Sequence, residues 1–245
     1  MKSAARHRRR PAPLIGVTVR TPAYAALSRE AVARFKRFTG LPVQVIDCAD
    51  AEAFWTKINL PLLLPRTRCV FFDADWWALR ELDFSGWQGG SMLAVHDAGV
   101  FHPAAFCKPD SEALGLEKAL YFNTGFFAWD NADARHRMAF TLARRFWRTE
   151  TVQDFGEQSL LNAGVQRAGV PVSLLPFGWN CMLHFVRGGV YPYIPRVVHA
   201  VHAAGVPLRR KMTHLRAAAQ ILSYAPEPLQ AEAVTFHHQL TFDTR

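Results

Sequence analysis

The chain has 245 residues, half of them hydrophobic and a fifth charged, which suits one compact domain with a sizeable core and excludes a disordered chain. No run of about 18 apolar residues occurs, so no transmembrane helix is expected. The formal net charge is +9, which suits an anionic ligand or an acidic membrane surface; the body has no long Lys/Arg stripe with interleaved aromatics, so nucleic acid is not expected as a partner.

Five of the positive side chains, Lys2, Arg6, Arg8, Arg9 and Arg10, lie in the first ten residues. They read as a basic tail over residues 1–12, either solvated or in peripheral contact with a membrane. The apolar stretch behind them, Leu14 to Val19, is short and is broken by Arg20 and Pro22, so a cleaved signal peptide is not expected. Cys48, Cys69, Cys107 and Cys181 form no C-x-x-C pair and read as reduced thiols of a cytoplasmic protein.

In chain order, Leu14–Val19 reads as a buried strand, and Leu27, Ala31, Phe35 and Phe38 give the next segment a helical period. Gly40 and Pro42 end that helix, and Val43–Ile46 reads as a second strand. A helical stretch near Ala51 to Leu64 precedes Cys69–Phe72, a third short apolar strand. This β-α-β-α-β alternation predicts an α/β fold with a mainly parallel central sheet flanked by helices. Met92–His96 and Phe126–Trp129 read as further strands. Asp133–Trp147 and Glu157–Arg167 read as helices, with Asn131 or Asp133 able to cap the first. Val172–Leu175 and Val197–His199 read as late strands, and the last twenty residues show only weak periodicity. The organisation expected is a tail over 1–12, a catalytic domain over 13–220 and a C-terminal extension over 221–245.

The chemistry concentrates at Val70-Phe-Phe-Asp73-Ala-Asp75. Ligands of parallel α/β sheets bind beyond the carboxyl ends of the strands, and two carboxylates one residue apart at such an end can approach one divalent cation. Mg²⁺ or Mn²⁺ shares its shell between such carboxylates and substrate phosphates. The plainer reading is an acidic turn that stops a buried strand.

Further segments in sequence order set the context: Lys57, Tyr121-Phe-Asn123-Thr-Gly125, Glu157-Gln158-Ser-Leu-Leu-Asn162, Leu175-Pro176 with Trp179-Asn180, and His199-Ala-Val-His202-Ala-Ala-Gly205. Together with Asp73-Ala-Asp75 they resemble the retaining GT-A glycosyltransferases of the glycogenin and lipopolysaccharide galactosyltransferase type, over roughly residues 14 to 215. The resemblance implies the GT-A fold and hexosyl transfer from a nucleotide-sugar, a UDP-sugar in that family. It implies Mn²⁺ (or Mg²⁺) held by Asp73, Asp75 and His202, with His199 a competitor three residues earlier. Lys57 falls where the family has a basic residue facing the diphosphate and sugar, Asn123 lies by the donor sugar, Gly205 closes the H-x-x-G, and Glu157 and Gln158 fall at the reacting sugar. The family has Asp where this chain has Glu157. Its Lys-Pro-Trp after H-x-x-G is absent, with Arg209, Arg210 and Lys211 as substitutes.

Each of these residues also has a plainer reading. Lys57 can be a solvated helix residue, Glu157 a charge at a helix N-terminus, and Asn123 and Gly125 turn residues. Asp97 can bond a sugar hydroxyl or cap a loop. Arg20 and Tyr24 follow the first strand, where nucleotide bases lie in such folds, and Tyr24 can stack on uracil. Trp76 and Trp77 can cover the site or stack on an acceptor sugar, although packing is the commoner use of Trp. The acceptor is left open among glycan, lipid-linked and protein acceptors. Of the competing classes, a haloacid-dehalogenase phosphatase continues its D-x-D differently. A sugar-nucleotide nucleotidyltransferase carries a Gly-rich basic loop, which Arg20–Tyr24 lacks. A catalytically inactive GT-A-like binding module stays open.

Overall fold

A computed structural model describes residues 13–97, 112–149, 156–183 and 197–224. Its frame is a six-stranded sheet in the order β2-β1-β3-β6-β5-β7, built from β1 (Leu14–Arg20), β2 (Val43–Asp47), β3 (Arg68–Phe72), β5 (Met92–His96), β6 (Phe122–Asp130) and β7 (Val172–Leu175). β1 runs parallel to β2 and β3, and β5 runs parallel to β7. β6 is antiparallel to both of its neighbours, so it alone of the six is reversed. A second, three-stranded sheet joins β4 (Trp76–Ala78), β9 (Ala200–His202) and β8 (Cys181–Met182).

The apolar runs become strands because the central sheet is covered on both faces, which removes the polar alternation of a half-exposed strand. Along β3, Val70 and Phe72 pack to one side with α1 (Ala25–Thr39), the small sheet and α5 (Leu208–Tyr224). Cys69 and Phe71 pack to the other with α2 (Ala53–Leu63), α3 (Ala134–Thr149) and α4 (Gln158–Arg167). β6 alternates in the same way, Phe126 and Ala128 against Phe127 and Trp129. Burial lifts the thiols of Cys69 and Cys181 to about 12, so both are inert thiols. Cys107 and the basic tail lie outside the described residues.

Several expectations are met with small shifts. The stretch 51–64 is a 3₁₀ turn over Asp50–Glu52 followed by α2. Asp133 is the residue that caps α3, accepting from the Arg135 backbone N–H at 2.7 Å. Asn131 instead donates to the carbonyls of Pro61, Leu64 and Pro65 and ties the α2 exit to the end of β6. The late strand expected over Val197–His199 is not formed there and lies instead at Ala200–His202, because pairing with Trp76–Ala78 fixes its register. β4, β8 and α5 were not expected, and α5 runs from Leu208 to Tyr224. Trp76 and Trp77 are fully buried, so they cover no site and face no acceptor. Trp76 stacks on Phe126 and donates to the Trp179 carbonyl.

α3 and α4 touch through Gly164, where a Cβ would come within 2.2 Å of the Ala139 carbonyl oxygen. Backbone cannot give way as a flexible side chain can. Gly164→Ala gains up to about 1 kcal/mol of helix propensity yet forces the helices apart, and overpacking costs roughly 1–3 kcal/mol. A lowered urea midpoint with an unchanged m-value is the expected result, and an unchanged or raised midpoint would show that the contact is slack.

Candidate active site

β3 ends at Phe72, and the chain turns through Asp73-Ala74-Asp75 before β4 begins, with Trp76 N–H donating to the Asp73 carbonyl at 3.0 Å. The two carboxylates therefore stand where the large sheet hands over to the small one. β9 pairs antiparallel with β4, Trp76 opposite His202, which delivers the imidazole beside Asp75. His202 Nε2 lies 3.4 Å from an Asp75 oxygen and 3.7 Å from an Asp73 oxygen. One ligand atom from each of the three residues falls within 4.8 Å of the others. His202 Nδ1 is buried without a hydrogen-bond partner, so no second bond competes for the direction in which the ring points. Gly125 makes room for it, since a Cβ there would meet the ring at 2.1 Å. His199 is turned elsewhere, with Nδ1 at the Glu81 carbonyl and its ring against Trp179.

Two carboxylate oxygens and an imidazole nitrogen converging this closely form a donor set that could hold a divalent metal ion. Two buried lysines flank it. Lys57, on α2, bridges Asp73 at 3.0 Å and Glu157 at 2.6 Å. Lys211, on α5, bonds Asp75 and, at 3.0 Å, the Ala203 carbonyl. Burial pulls both ammonium groups down. Asp73 and Glu157 outweigh it for Lys57, as do Asp75, Tyr24 and Asp73 for Lys211, so both end above the ordinary lysine value. Lys211 shares the inward stripe of α5 with Leu215, Ala218 and Leu222, whereas Arg209 and Arg210 are exposed. Of the three cations that follow Gly205, the helix turns one inward. Gly205 itself sits at φ 74° in the turn between β9 and α5, a conformation that favours glycine.

The other wall is an amide network around Gln158, the first residue of α4. Its carbonyl oxygen accepts from Asn123 Nδ2 at 3.0 Å and from the Thr124 backbone N–H at 3.2 Å. Its Nε2 donates to Asp97 at 2.8 Å and lies 3.4 Å from the Tyr121 hydroxyl. Asn123 also donates to Asp97 at 3.3 Å and accepts from Asn180 at 2.9 Å. Glu157 accepts from the Thr124 hydroxyl at 2.9 Å as well as from Lys57. The register of β5 against β6 shifts between Ala94 and Val95, opposite Thr124–Phe126, and this irregularity turns the Asn123-Thr-Gly125 segment toward the acids.

These groups line one cavity of about 480 Å³. It takes in every expected site residue except Arg20 and His199. The Arg20 guanidinium is turned to the exposed Asp47 carboxylate on β2, with bonds of 2.5 and 2.8 Å. Tyr24 is at the cavity, its ring centroid 5.5 Å from the Lys211 ammonium. Thr124, Asn180 and Asp50 were not singled out in the sequence. The first two lie within Tyr121–Gly125 and Trp179-Asn180, and Asp50, which accepts from the Ala23 backbone N–H at 3.1 Å, has no local signature.

Neither a protein-family model nor a curated protein sequence matches the chain. Solved structures do. The apo structure of WbbM, a bifunctional glycosyltransferase, superposes with a TM-score of 0.59 at 12% identity, over 95% of this chain and 52% of that one. The galactosyltransferase LgtC, in complex with donor and acceptor sugar analogues, superposes at 0.56 and 14% identity, over 89% of this chain and 99% of LgtC. Mouse xyloside xylosyltransferase 1 gives 0.54 at 11% identity, over 79% of this chain and 98% of that one. The fold is that of the GT-A glycosyltransferases. The chain spans about half the length of WbbM and nearly the whole of LgtC.

Within this GT-A frame Asp75 is buried between His202 and Lys211. Burial pushes its carboxyl up, but His202 and Lys211 outweigh burial and hold it well below the usual carboxylate range. A depressed carboxyl contributes stability that is fully present above the unfolded value near 4 and is lost as pH falls toward the lower folded value. The metal-free protein and Asp75→Asn are therefore expected to differ most in urea unfolding free energy near neutral pH. Below about pH 4 the gap should close by up to about 1.4 kcal/mol per pH unit. A gap that stays constant from neutral pH into that range would show that Asp75 is not held in its ionised form.

Proposed function

We propose that the protein is a metal-dependent glycosyltransferase that moves a hexose from a nucleotide-sugar, a UDP-sugar, to a glycan, lipid-linked or protein acceptor, with retention. The observation that carries this reading is the convergence of Asp73, Asp75 and His202 in a GT-A cavity that also holds two buried lysines and the Gln158 amide network. Asp73, Asp75 and His202 would hold Mn²⁺ or Mg²⁺, which supplies charge neutralisation to the diphosphate leaving group. Lys57 and Lys211 are the side chains that grip the diphosphate, each a point charge on a flexible stem. Tyr24 stacks on the base, and Asp97 and Asn123 bind the sugar hydroxyls.

As the glycosidic bond breaks, negative charge builds on the diphosphate and positive character on the sugar ring. The lysines stabilise the first, and the Gln158 carbonyl oxygen and Glu157 face the second. Retention by a front-face, donor-assisted route needs no strong base, so an amide at this point is adequate. We place the protein in the cytoplasm, with the basic start of the chain in contact with a membrane surface. No helix among the described residues is long and apolar enough to cross a membrane.

Calorimetric titration of UDP tests the reading. Binding is expected only with Mn²⁺ present and is expected to weaken at least about 100-fold in Asp75→Ala, the loss of more than one charge-assisted contact. Gly125→Ala, which drives a methyl into the His202 ring, is expected to lower Mn²⁺ affinity in a direct electron-paramagnetic-resonance titration while the chain stays folded. Failure of UDP and other nucleoside diphosphates to bind with metal present would refute the donor site. UDP binding without hydrolysis or transfer from UDP-sugars would assign an inactive binding module instead.

A further inference from the structure

A second concavity, of about 530 Å³, opens between the C-terminal half of α1, the residues after β4 and the middle of α5. Arg34 and Arg37 from α1, Arg80, and Arg216 from α5 line it, beside an apolar wall that includes Phe38 and Leu79. It shares no lining residue with the donor cavity. Tyr24 at the donor cavity and Arg37 at this groove are thirteen residues apart along α1, or about 20 Å at the helical rise.

Ordinary uses account for part of this gathering: Arg37 lies over the Phe38 ring at 5.1 Å, and Arg80 has an interaction of its own. Of the last carbonyls of α1, Phe35 O accepts from Thr39 Oγ1, Lys36 O from Gly40 N–H and Phe38 O from Leu82 N–H, so these three need no arginine. Arg34 is held by Glu30 at 2.8 Å and by the Trp77 ring at 4.8 Å, which fixes its guanidinium at the groove. α5 contains no Asp or Glu, and Arg37 and Arg216 form no ion pair among the described residues. Like charges collected in a concavity with an apolar wall raise its positive potential and favour an anion. Guanidinium groups from several directions match phosphate oxygens through paired N–H donors.

We infer that this groove is a second anion site, which binds a phosphate-bearing group with an apolar neighbour independently of the donor cavity. The inference does not rest on the glycosyltransferase reading. The shared chemistry is phosphate, whether of a lipid headgroup or of a soluble phosphorylated molecule.

The test titrates inorganic pyrophosphate, in low salt with EDTA, into the full chain, the double variant Arg37→Ser/Arg216→Ser, and Lys211→Met. The double variant is expected to lose at least about tenfold in pyrophosphate affinity, as removal of charge-assisted bonds predicts. It should keep its melting temperature and its Mn²⁺-dependent UDP binding. Lys211→Met is expected to keep the groove's pyrophosphate binding and to weaken UDP binding. Co-sedimentation with phosphatidylcholine vesicles, with and without phosphatidylglycerol, separates the sources. Vesicle binding weakened by the double substitution identifies a lipid phosphate. Unchanged vesicle binding alongside lost pyrophosphate binding identifies a soluble one. Pyrophosphate affinity unchanged in the folded double variant, or lost only in Lys211→Met, would overturn the inference.

Discussion

Three carboxylates, Asp73, Asp75 and Glu157, stand at the junction of the two sheets, and the surrounding structure is arranged to make that arrangement tolerable. Two unit charges as close as 4.8 Å repel by about 3 kcal/mol even at an effective dielectric of 20. Lys57 answers two of the acids at once, and Lys211 and His202 answer the third. Each partner comes from a different element: α2, α5 and β9. Compensation is therefore also a tertiary clamp, since the acids can be neutralised only when the three elements are in place. Such clusters are weak sources of net stability, because the desolvation of the ions offsets most of their attraction. Their presence at the carboxyl end of β3 is better explained by what they can bind than by what they hold together.

The amide network on the opposite wall follows the same logic with neutral groups. Gln158 sits at the first position of α4, and both ends of its amide are bonded, so neither its carbonyl nor its amino group is free to rotate. Asn123 is bonded in turn by Asn180, which lies beyond the Pro176 turn in a separate 3₁₀ segment. Buried amides bonded at both ends, as those of Gln158 and Asn123 are, are held rigidly. Rigidity is the property a site needs when it stabilises charge by pre-set dipoles rather than by moving a proton.

Much of this was legible in the sequence, for reasons that differ between elements. β3 is buried on both faces, so Cys69–Phe72 stands out as an apolar run, and the acids that stop it are conspicuous. The helices α1 and α4 carry full apolar stripes, which made their limits readable. β4 and β8 have three and two residues and exist only because they pair with β9, so no local period announces them. The reversal of β6 is likewise a tertiary fact, since a strand buried on both faces reads the same in either direction. Trp76 and Trp77 beside two acids suggested a surface role, but the turn at Asp75 sends both into the core. Arg20 sits at the right strand end, yet its planar fork finds Asp47 on the neighbouring strand.

Lys211 shows where reading by residue type stops and geometry takes over. Arg209, Arg210 and Lys211 are three consecutive cations, and nothing in their order says which one enters the site. α5 starts at Leu208, and its inward face recurs at Lys211, Leu215, Ala218 and Leu222, a three-to-four residue step that excludes 209 and 210. The αL turn at Gly205 sets where the helix begins and hence its phase against the cavity. Moving the helix start by one residue would rotate the face by about 100° and present an arginine or Met212 instead. The glycine after His202 and the lysine six residues beyond it are thus one device: the turn fixes the phase, and the phase selects the cation that meets Asp75.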